Sequence, residues 1–301
     1  MKQRIPHYLL NVILTLLLVF SLIGTEVSLL MQRGALNVNM FRVVVQQEQL
    51  TDKAYDKLEA YFRTRSNSTG IPEAVFLSVV DKEMLYNGII GSVTQAFNYL
   101  NGNTNEYEFT MDFTEMENSV TSFFEEYAKV NNYPKDEVYQ QKLTAVIEES
   151  EKEILFVADN FKFSMLYEKG WLAKLRKVVN YLNIAVTVCI CVTIVLAVLI
   201  VFMNRKRFIN VPYWFGLSAF TAGILLAVPC FWITHTNYFS GFVVTDPQIF
   251  SAVVGYLNLV VNRILVMAVV TICIGVVGFA GFGALCLFQR AEEKQQQETA
   301  Q

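Results

Sequence analysis

Residues 8–31 read YLLNVILTLLLVFSLIGTEVSLLM, an apolar run whose only charged residue, Glu26, falls near its end. A hydrocarbon layer about 30 Å thick takes about 20 mostly apolar residues at 1.5 Å each, because in lipid every backbone N–H and C=O must be paired within its own helix. The run meets that requirement and predicts a transmembrane helix. Working outward, three more windows meet it: residues 178–203, 211–233 and 261–288, each uncharged through its middle. Composition agrees, since 53% of the 301 residues are apolar and only 17% charged, against about 25% charged in ordinary globular chains. The predicted fold class is an α-helical membrane protein with four transmembrane helices.

Lys2 and Arg4 precede the first window as they would in a secretory signal, but an h-region of about 7–15 residues is shorter than this run. The expectation is a retained anchor; Gly24, Thr25 and Ser28 are the small residues that a cleavage site would use. Orientation follows from the short flanks, because Lys and Arg next to a span resist translocation. Lys2 and Arg4 lie before the first span, Arg205, Lys206 and Arg207 between the second and third, and Arg290 and Lys294 after the fourth, while residues 234–260 contain no Lys or Arg. Both termini are therefore expected in the cytoplasm of a plasma membrane. The expected layout is a cytoplasmic N-terminus (1–7), span one (8–31), an extracytoplasmic domain (32–177), span two (178–203), a cytoplasmic turn (204–210), span three (211–233), an outer loop (234–260), span four (261–288) and a cytoplasmic tail (289–301).

The outer block is large enough for a core of its own and mildly acidic, with 15 Lys and Arg against 22 Asp and Glu between residues 34 and 178. Its periodicity predicts mainly helices. Leu50, Ala54, Tyr55, Leu58, Tyr61 and Phe62 recur at helical spacing within a helix over 43–65, with Thr51 and Asp52 marking a fresh start as the alternative. Pro72 opens a short helix over 73–80, Asp81 caps one that runs to Leu100, and Asn101-Gly102 closes it. The alternation Tyr107, Phe109, Met111, Phe113 predicts a short strand. Thr114 then starts a helix, Pro134 precedes another over 135–159, and residues 161–177 are expected to continue as one helix into span two.

The chemistry available is narrow. The only histidines are His7 and His235, and all five cysteines, Cys189, Cys191, Cys230, Cys273 and Cys286, fall within spans. The outer block thus lacks the base of a Ser-His-Asp or Cys-His arrangement and the soft ligands of a zinc site, so no catalytic residue, cofactor or metal is expected. Between Glu83 and Ala128 there is no Lys or Arg, and Asp112, Glu115 and Glu117 stand at the centre of a speculative acidic patch. Hard oxygen ligands of this kind suit Ca²⁺; a solvated helix face is the plainer reading. Two carboxylates at a suitable separation would also serve glycan hydrolysis.

Ionisable residues inside a span usually have partners. Glu26 and Arg263 both lie toward the outer side, roughly 33 Å above Arg4 and roughly 40 Å above Arg290 at 1.5 Å per residue, and an intramembrane ion pair between them is an expectation to set against separate snorkelling. In span four, Gly275, Gly278, Ala280, Gly281 and Ala284 form a helix-packing face of small residues, expected to meet span one or two, with homo-oligomerisation as an alternative. The spans show no broken helix or polar stripe, which argues against an ion-coupled transporter.

With these parts in order, the chain resembles a broad, uncharacterised group of Gram-positive, clostridial-type, four-span integral membrane proteins with a helical outer domain. The resemblance rests on Tyr55-x-x-Leu58 leading into Thr69-Gly70-Ile71-Pro72-x-x-Val75-Phe76, on Tyr99-Leu100-Asn101-Gly102 and on the last span, residues 260–288. It implies a compartment and a topology rather than a mechanism. In span order alone the chain is also similar to the permease subunits of MacB-type ABC transporters. The expected function is a non-enzymatic plasma-membrane protein whose outer domain binds an envelope component or a protein partner, with the bilayer around it and no nucleic acid. The alternatives are a mechanotransmitting permease-like subunit working with a separate ATPase, and a carboxylate-dependent envelope hydrolase.

Overall fold

The computed structural model describes residues 4–299, so Lys2 and the outermost residues of both expected terminal segments lie outside the described residues. The chain is 84% helical, with no strand among the described residues. Its helices are α1 (Arg4–Leu29), α2 (Val38–Gln47), α3 (Leu50–Thr69), α4 (Ala74–Leu77), α5 (Lys82–Leu100), α6 (Thr114–Val130), α7 (Glu137–Ala158), α8 (Phe163–Glu168), α9 (Trp171–Met203), α10 (Val211–His235) and α11 (Pro247–Thr299). A π-helical turn, Leu30–Ala35, extends α1. Four segments are long and apolar enough to cross a membrane: Tyr8–Ala35, Trp171–Met203, Arg205–His235 and Pro247–Glu292. Only 17–33% of their most apolar windows is buried within the protein. Helices that expose this much Leu, Val and Phe require a solvent other than water, and the chain is a multi-pass membrane protein.

Two compact units divide the chain. The membrane unit comprises the residues up to Ala35, Asn180–Gly241 and those from Asn258 onward. Leu14 and Leu18 of α1, Leu196 and Ile200 of α9, and Trp214 of α10 form its apolar centre. Between α10 and α11 the backbones nearly touch. A Cβ on Gly275 would lie 2.5 Å from the Phe220 backbone nitrogen, one on Gly278 2.8 Å from Gly216 Cα, and one on Gly223 2.8 Å from the Ala268 carbonyl oxygen. The small-residue face of span four therefore packs on span three, not on span one or two as expected. Glycine meets glycine where Gly278 packs on Gly216. Ala280 and Ala284 are exposed, and a Cβ on Gly281 would meet nothing within 4 Å.

The helical unit comprises Leu36–Val179 together with Phe242–Leu257. Leu50, Ala54, Leu58 and Phe62 form the buried stripe of α3, one residue per turn, and Phe62 stacks on Phe76 of α4 with ring centroids 4.3 Å apart. Leu85, Ile89, Val93 and Ala96 do the same on α5, whose N-terminus is capped by Asp81 accepting from the Met84 N–H at 2.8 Å. The helix ends as expected at Asn101-Gly102, with Gly102 in the left-handed region at φ 79°. Gln49, also left-handed, breaks α2 from α3, so the fresh start near Thr51 prevails over one continuous helix.

Three expectations are corrected. Residues 107–113 form no strand: the alternation is real, with Tyr107 and Phe113 buried, but its cause is helix packing. A Cβ on Gly88 of α5 would lie 2.6 Å from Met111 Sδ, and one on Gly91 3.8 Å from the Phe109 ring, so the extended run lays alternate side chains on a glycine-lined helix face with no second strand to pair with. Residues 161–177 are not one helix, because Gly170 at φ 71° ends α8 and α9 starts afresh at Trp171. The last helix begins at Pro247, well before the expected 261. Pro suits a first helical position, and Asp246 Oδ1 accepts from the Gln248 N–H at 2.9 Å. This stretch belongs to the helical unit, held by Lys57 Nζ to Asp246 Oδ2 at 2.7 Å, Lys53 Nζ to Ser251 Oγ at 2.8 Å, and Gln248 Nε2 to the Val157 carbonyl at 3.1 Å.

Two positions in α11 should respond oppositely to the same substitution. Gly275→Val forces a side chain into the α10 backbone and is expected to cost about 1–3 kcal/mol or more, the range of overpacking, whereas Gly281→Val should leave stability unchanged. Thermal unfolding of the two variants in detergent, side by side, checks this.

Candidate functional site

The helical unit carries its most distinctive surface at the turn between α6 and α7. Phe123 and Phe124 lead into Tyr127, and four large apolar side chains then face solvent: Tyr127 at 57% exposure, Val130 at 72%, Tyr133 at 39% and Val138 at 48%. The turn is well fixed. Tyr133 N–H donates to the Ala128 carbonyl at 2.8 Å, Lys135 Nζ reaches Glu125 Oε1 at 3.0 Å, and Asp136 caps α7 through the Tyr139 N–H at 3.0 Å. Lys142 Nζ lies 5.8 Å from the centre of the Tyr133 ring. A cluster of exposed aromatic and aliphatic groups on an ordered turn is the pattern of a protein-contact surface. The sequence reading did not single it out, because at helical spacing Tyr127 continues the apolar stripe of Val120, Phe123 and Phe124.

The acidic patch does not come together as a metal site. Asp112 Oδ1 accepts from the Thr114 hydroxyl at 2.6 Å and its N–H at 3.0 Å, bonds that hold the carboxyl below the usual carboxylate range. Glu115 and Glu117 are both exposed. Among the described residues no group of three or more His, Cys, Asp or Glu is arranged to hold a metal ion. Burial first, then the neighbouring carboxyls of Glu117 and Glu148, raise the Glu151 carboxyl of α7 above its ordinary value.

A second polar group is buried. Asp159, 3% exposed, accepts from Ser92 Oγ at 2.8 Å, the Phe163 N–H at 2.9 Å and the Ser164 N–H at 2.9 Å. Tyr107 OH lies 3.1 Å from Ser92 Oγ, and burial together with the nearby Asp159 charge pushes its phenol up to about 12. Asp159 thus joins α5, the 107–113 run and the start of α8. No sequence spacing announces this, since its members come from residues 92, 107, 159 and 164. Beside it, Lys162 is held below its ordinary value by burial, with Asp159 opposing and Lys57 adding to the shift. Its Nζ donates to the Phe156 carbonyl at 2.5 Å and sits 3.5 Å from the centre of that ring.

In the membrane unit the expected Glu26–Arg263 pair is not made. Glu26 Oε1 accepts from Thr271 Oγ1 at 2.5 Å, and Oε2 is buried without a partner among the described residues. Thr271 lies eight residues beyond Arg263, about 12 Å along α11 at 1.5 Å per residue, so the helix that reaches Glu26 does so with a hydroxyl and leaves Arg263 exposed. The absence of a polar stripe is also corrected: Asn11, Thr15, Ser21 and Ser28 of α1 are all buried. Asn204 Nδ2 donates to Asn11 Oδ1 at 3.0 Å, and Ser21 Oγ and Thr25 Oγ1 lie 2.7 and 3.2 Å from Thr193 Oγ1 of α9. With Thr25 included the residues fall at gaps of four, six, four and three positions, and their signal was masked by the Leu and Val between them.

Comparisons with protein-family models, with curated proteins and with solved structures found no match to this chain.

Burial works against ionising Asp246, but the Lys57 ammonium and the Gln248 and Ile249 N–H groups outweigh it and hold the carboxyl below its ordinary value. A depressed carboxylate stabilises the fold above its unfolded pKa, about 3.9, and loses that contribution as pH falls through the lower folded value. The stability gap between the native protein and Lys57→Met is therefore expected to be full at neutral pH and to close in acid, as read from unfolding midpoints across a pH series. For Glu151 the sign is reversed: with its folded value raised, the ionised form at neutral pH weakens the fold. Glu151→Gln should raise the midpoint at neutral pH by a small amount, and the gain should shrink as pH falls below the native residue's own titration.

Proposed function

We propose that this is a non-enzymatic, multi-pass plasma-membrane protein of a Gram-positive cell, with both termini in the cytoplasm and the helical unit outside, whose outer domain binds an envelope component or a protein partner. The observation that carries the reading is the α6–α7 turn, where Tyr127, Val130, Tyr133 and Val138 stand exposed on a fixed backbone. Aromatic residues supply contact area at low entropic cost, and a soluble-type domain that keeps four such groups in water gains from covering them. Orientation rests on charge. Arg205, Lys206 and Arg207 flank one short connection and Arg290 follows the last span, while residues 234–260 contain no Lys or Arg.

A photo-crosslinking side chain at position 130 of the full-length protein in its native membrane is expected to yield a discrete adduct. Tyr127→Ala combined with Val138→Asp should lower that yield about tenfold or more, as loss of interface anchors does, with the unfolding midpoint unchanged because both groups are exposed. Absence of any adduct at position 130, or a yield indifferent to the two substitutions, would count against the reading. A cysteine placed at Asn132 should react with a membrane-impermeant thiol reagent on intact cells, and protection there would reverse the orientation.

A further inference from the structure

Among the described carboxyls, Glu26 alone combines a place inside a membrane-spanning segment with a buried oxygen that has no partner. It sits in the last full turn of α1 before the π-helical turn, within a membrane-spanning segment, in a narrow crevice lined by Val27 and Leu30 of its own helix, Leu226 of α10, and Ile264 and Met267 of α11. Thr271 supplies its one hydrogen bond, to Oε1 at 2.5 Å, and Oε2 is buried with no partner among the described residues. Among the described residues no ion pair reaches Glu26; the basic residues nearest to it on these elements are Arg33, seven positions on in the π-helical turn, and Arg263 of α11. On the α9 side its neighbours Gly24 and Thr25 meet Cys189 and Thr193, and Arg263, the nearest basic residue of α11 in sequence, lies two turns away from Thr271.

An ionised carboxylate accepts hydrogen bonds at both oxygens and carries a full charge. Placed here it would have one donor, apolar walls and no counter-ion, an arrangement that lipid strongly disfavours. A neutral acid fits the same geometry. With the proton on Oε2, Oε1 still accepts from Thr271, and the apolar walls face a group without charge. We propose that Glu26 is an intramembrane proton-binding site. The π-helical turn at Leu30–Ala35 bears on exchange, since Leu30 both lines the crevice and begins the wider turn, and π turns interrupt helices most often where a side chain has work to do. This inference is independent of the proposed binding surface, which lies on the other unit.

The test uses dicyclohexylcarbodiimide, a lipid-soluble reagent that adds to protonated carboxyls. The acid proton moves to a carbodiimide nitrogen and the carboxyl oxygen bonds to the central carbon, so the adduct retains every atom of both reactants. The full-length protein in detergent is treated across a series from mildly acidic to alkaline buffer, and each carboxyl is read by peptide mass spectrometry. The expected result is an adduct on Glu26 at neutral pH that is lost as pH rises, and is absent in Glu26→Gln, an isostere that keeps the Thr271 contact. No adduct on Glu26 at any pH, or a yield that is the same at every pH, would overturn the proposal, and because that reading comes from the native protein it does not depend on how the variant folds.

Discussion

Backbone polarity in an apolar solvent governs this molecule. Each peptide group that enters lipid must find its hydrogen-bond partner within the segment that carries it, and for a single chain crossing four times the α-helix is the available answer. The consequence extends beyond the spans. Once helices have satisfied their own backbones, association between them in lipid cannot draw on the hydrophobic effect and falls to close packing and side-chain hydrogen bonds. Both are present and they are divided between helices: α10 and α11 meet through Gly216, Gly223, Gly275 and Gly278, while α1 meets α9 through Asn11–Asn204 and Ser21–Thr193. Small residues draw one pair together and polar residues the other.

The helical unit follows the opposite rule. Here water is the solvent, burial of Leu, Ile and Phe drives packing, and Asp159 goes inside with three donors, whereas the side-chain amide of its neighbour Asn160 is buried without a partner among the described residues. The segment from Phe242 to Leu257 shows how a connection between two spans can belong to this water-driven fold. Ten of its 16 residues are apolar or aromatic, with Ala252 and Val254 buried, and Lys53, Lys57 and the Val157 carbonyl each take one of its polar residues. Electrostatic and hydrogen-bonded latches of this type are worth little singly when exposed. Three of them, with Gln248 buried among them, fix where α11 begins.

How far the sequence was legible follows from which forces are local. The four spans could be read because hydropathy over about 20 residues is a property of a single segment. The caps at Asp81 and Gly102 could be read because they involve residues three or four apart. Where the reading failed, the missing information was the identity of a distant neighbour. The run at 107–113 carries a true period of two, but whether that period means a strand depends on whether another strand lies beside it, and what lies there is the glycine face of α5. The glycines of α11 could be identified as a packing face from composition, but their partner was open until Gly216 and Gly223 were seen opposite them. Likewise the polar residues of α1 are spaced for a stripe, yet their meaning rests on Thr193 and Asn204, more than 150 positions away in the sequence.

Glu26 joins these arguments. Depth alone suggested Arg263 as its partner, because in lipid an opposite charge is the expected answer to a charge. The helix geometry answers differently, since the face of α11 that carries Thr271 toward α1 turns Arg263 outward, and a hydroxyl can hydrogen-bond a carboxyl without neutralising it. A residue in that position either bears an uncompensated charge at a cost comparable to a large part of a protein's net stability, or it bears a proton. Serine, threonine and asparagine supply the buried polar residues of α1, at Asn11, Thr15, Ser21 and Ser28, without carrying a charge. A carboxyl in their place adds only one capability that those side chains lack, which is to change its charge, and that difference is the physical reason for reading Glu26 as a site rather than as part of the packing.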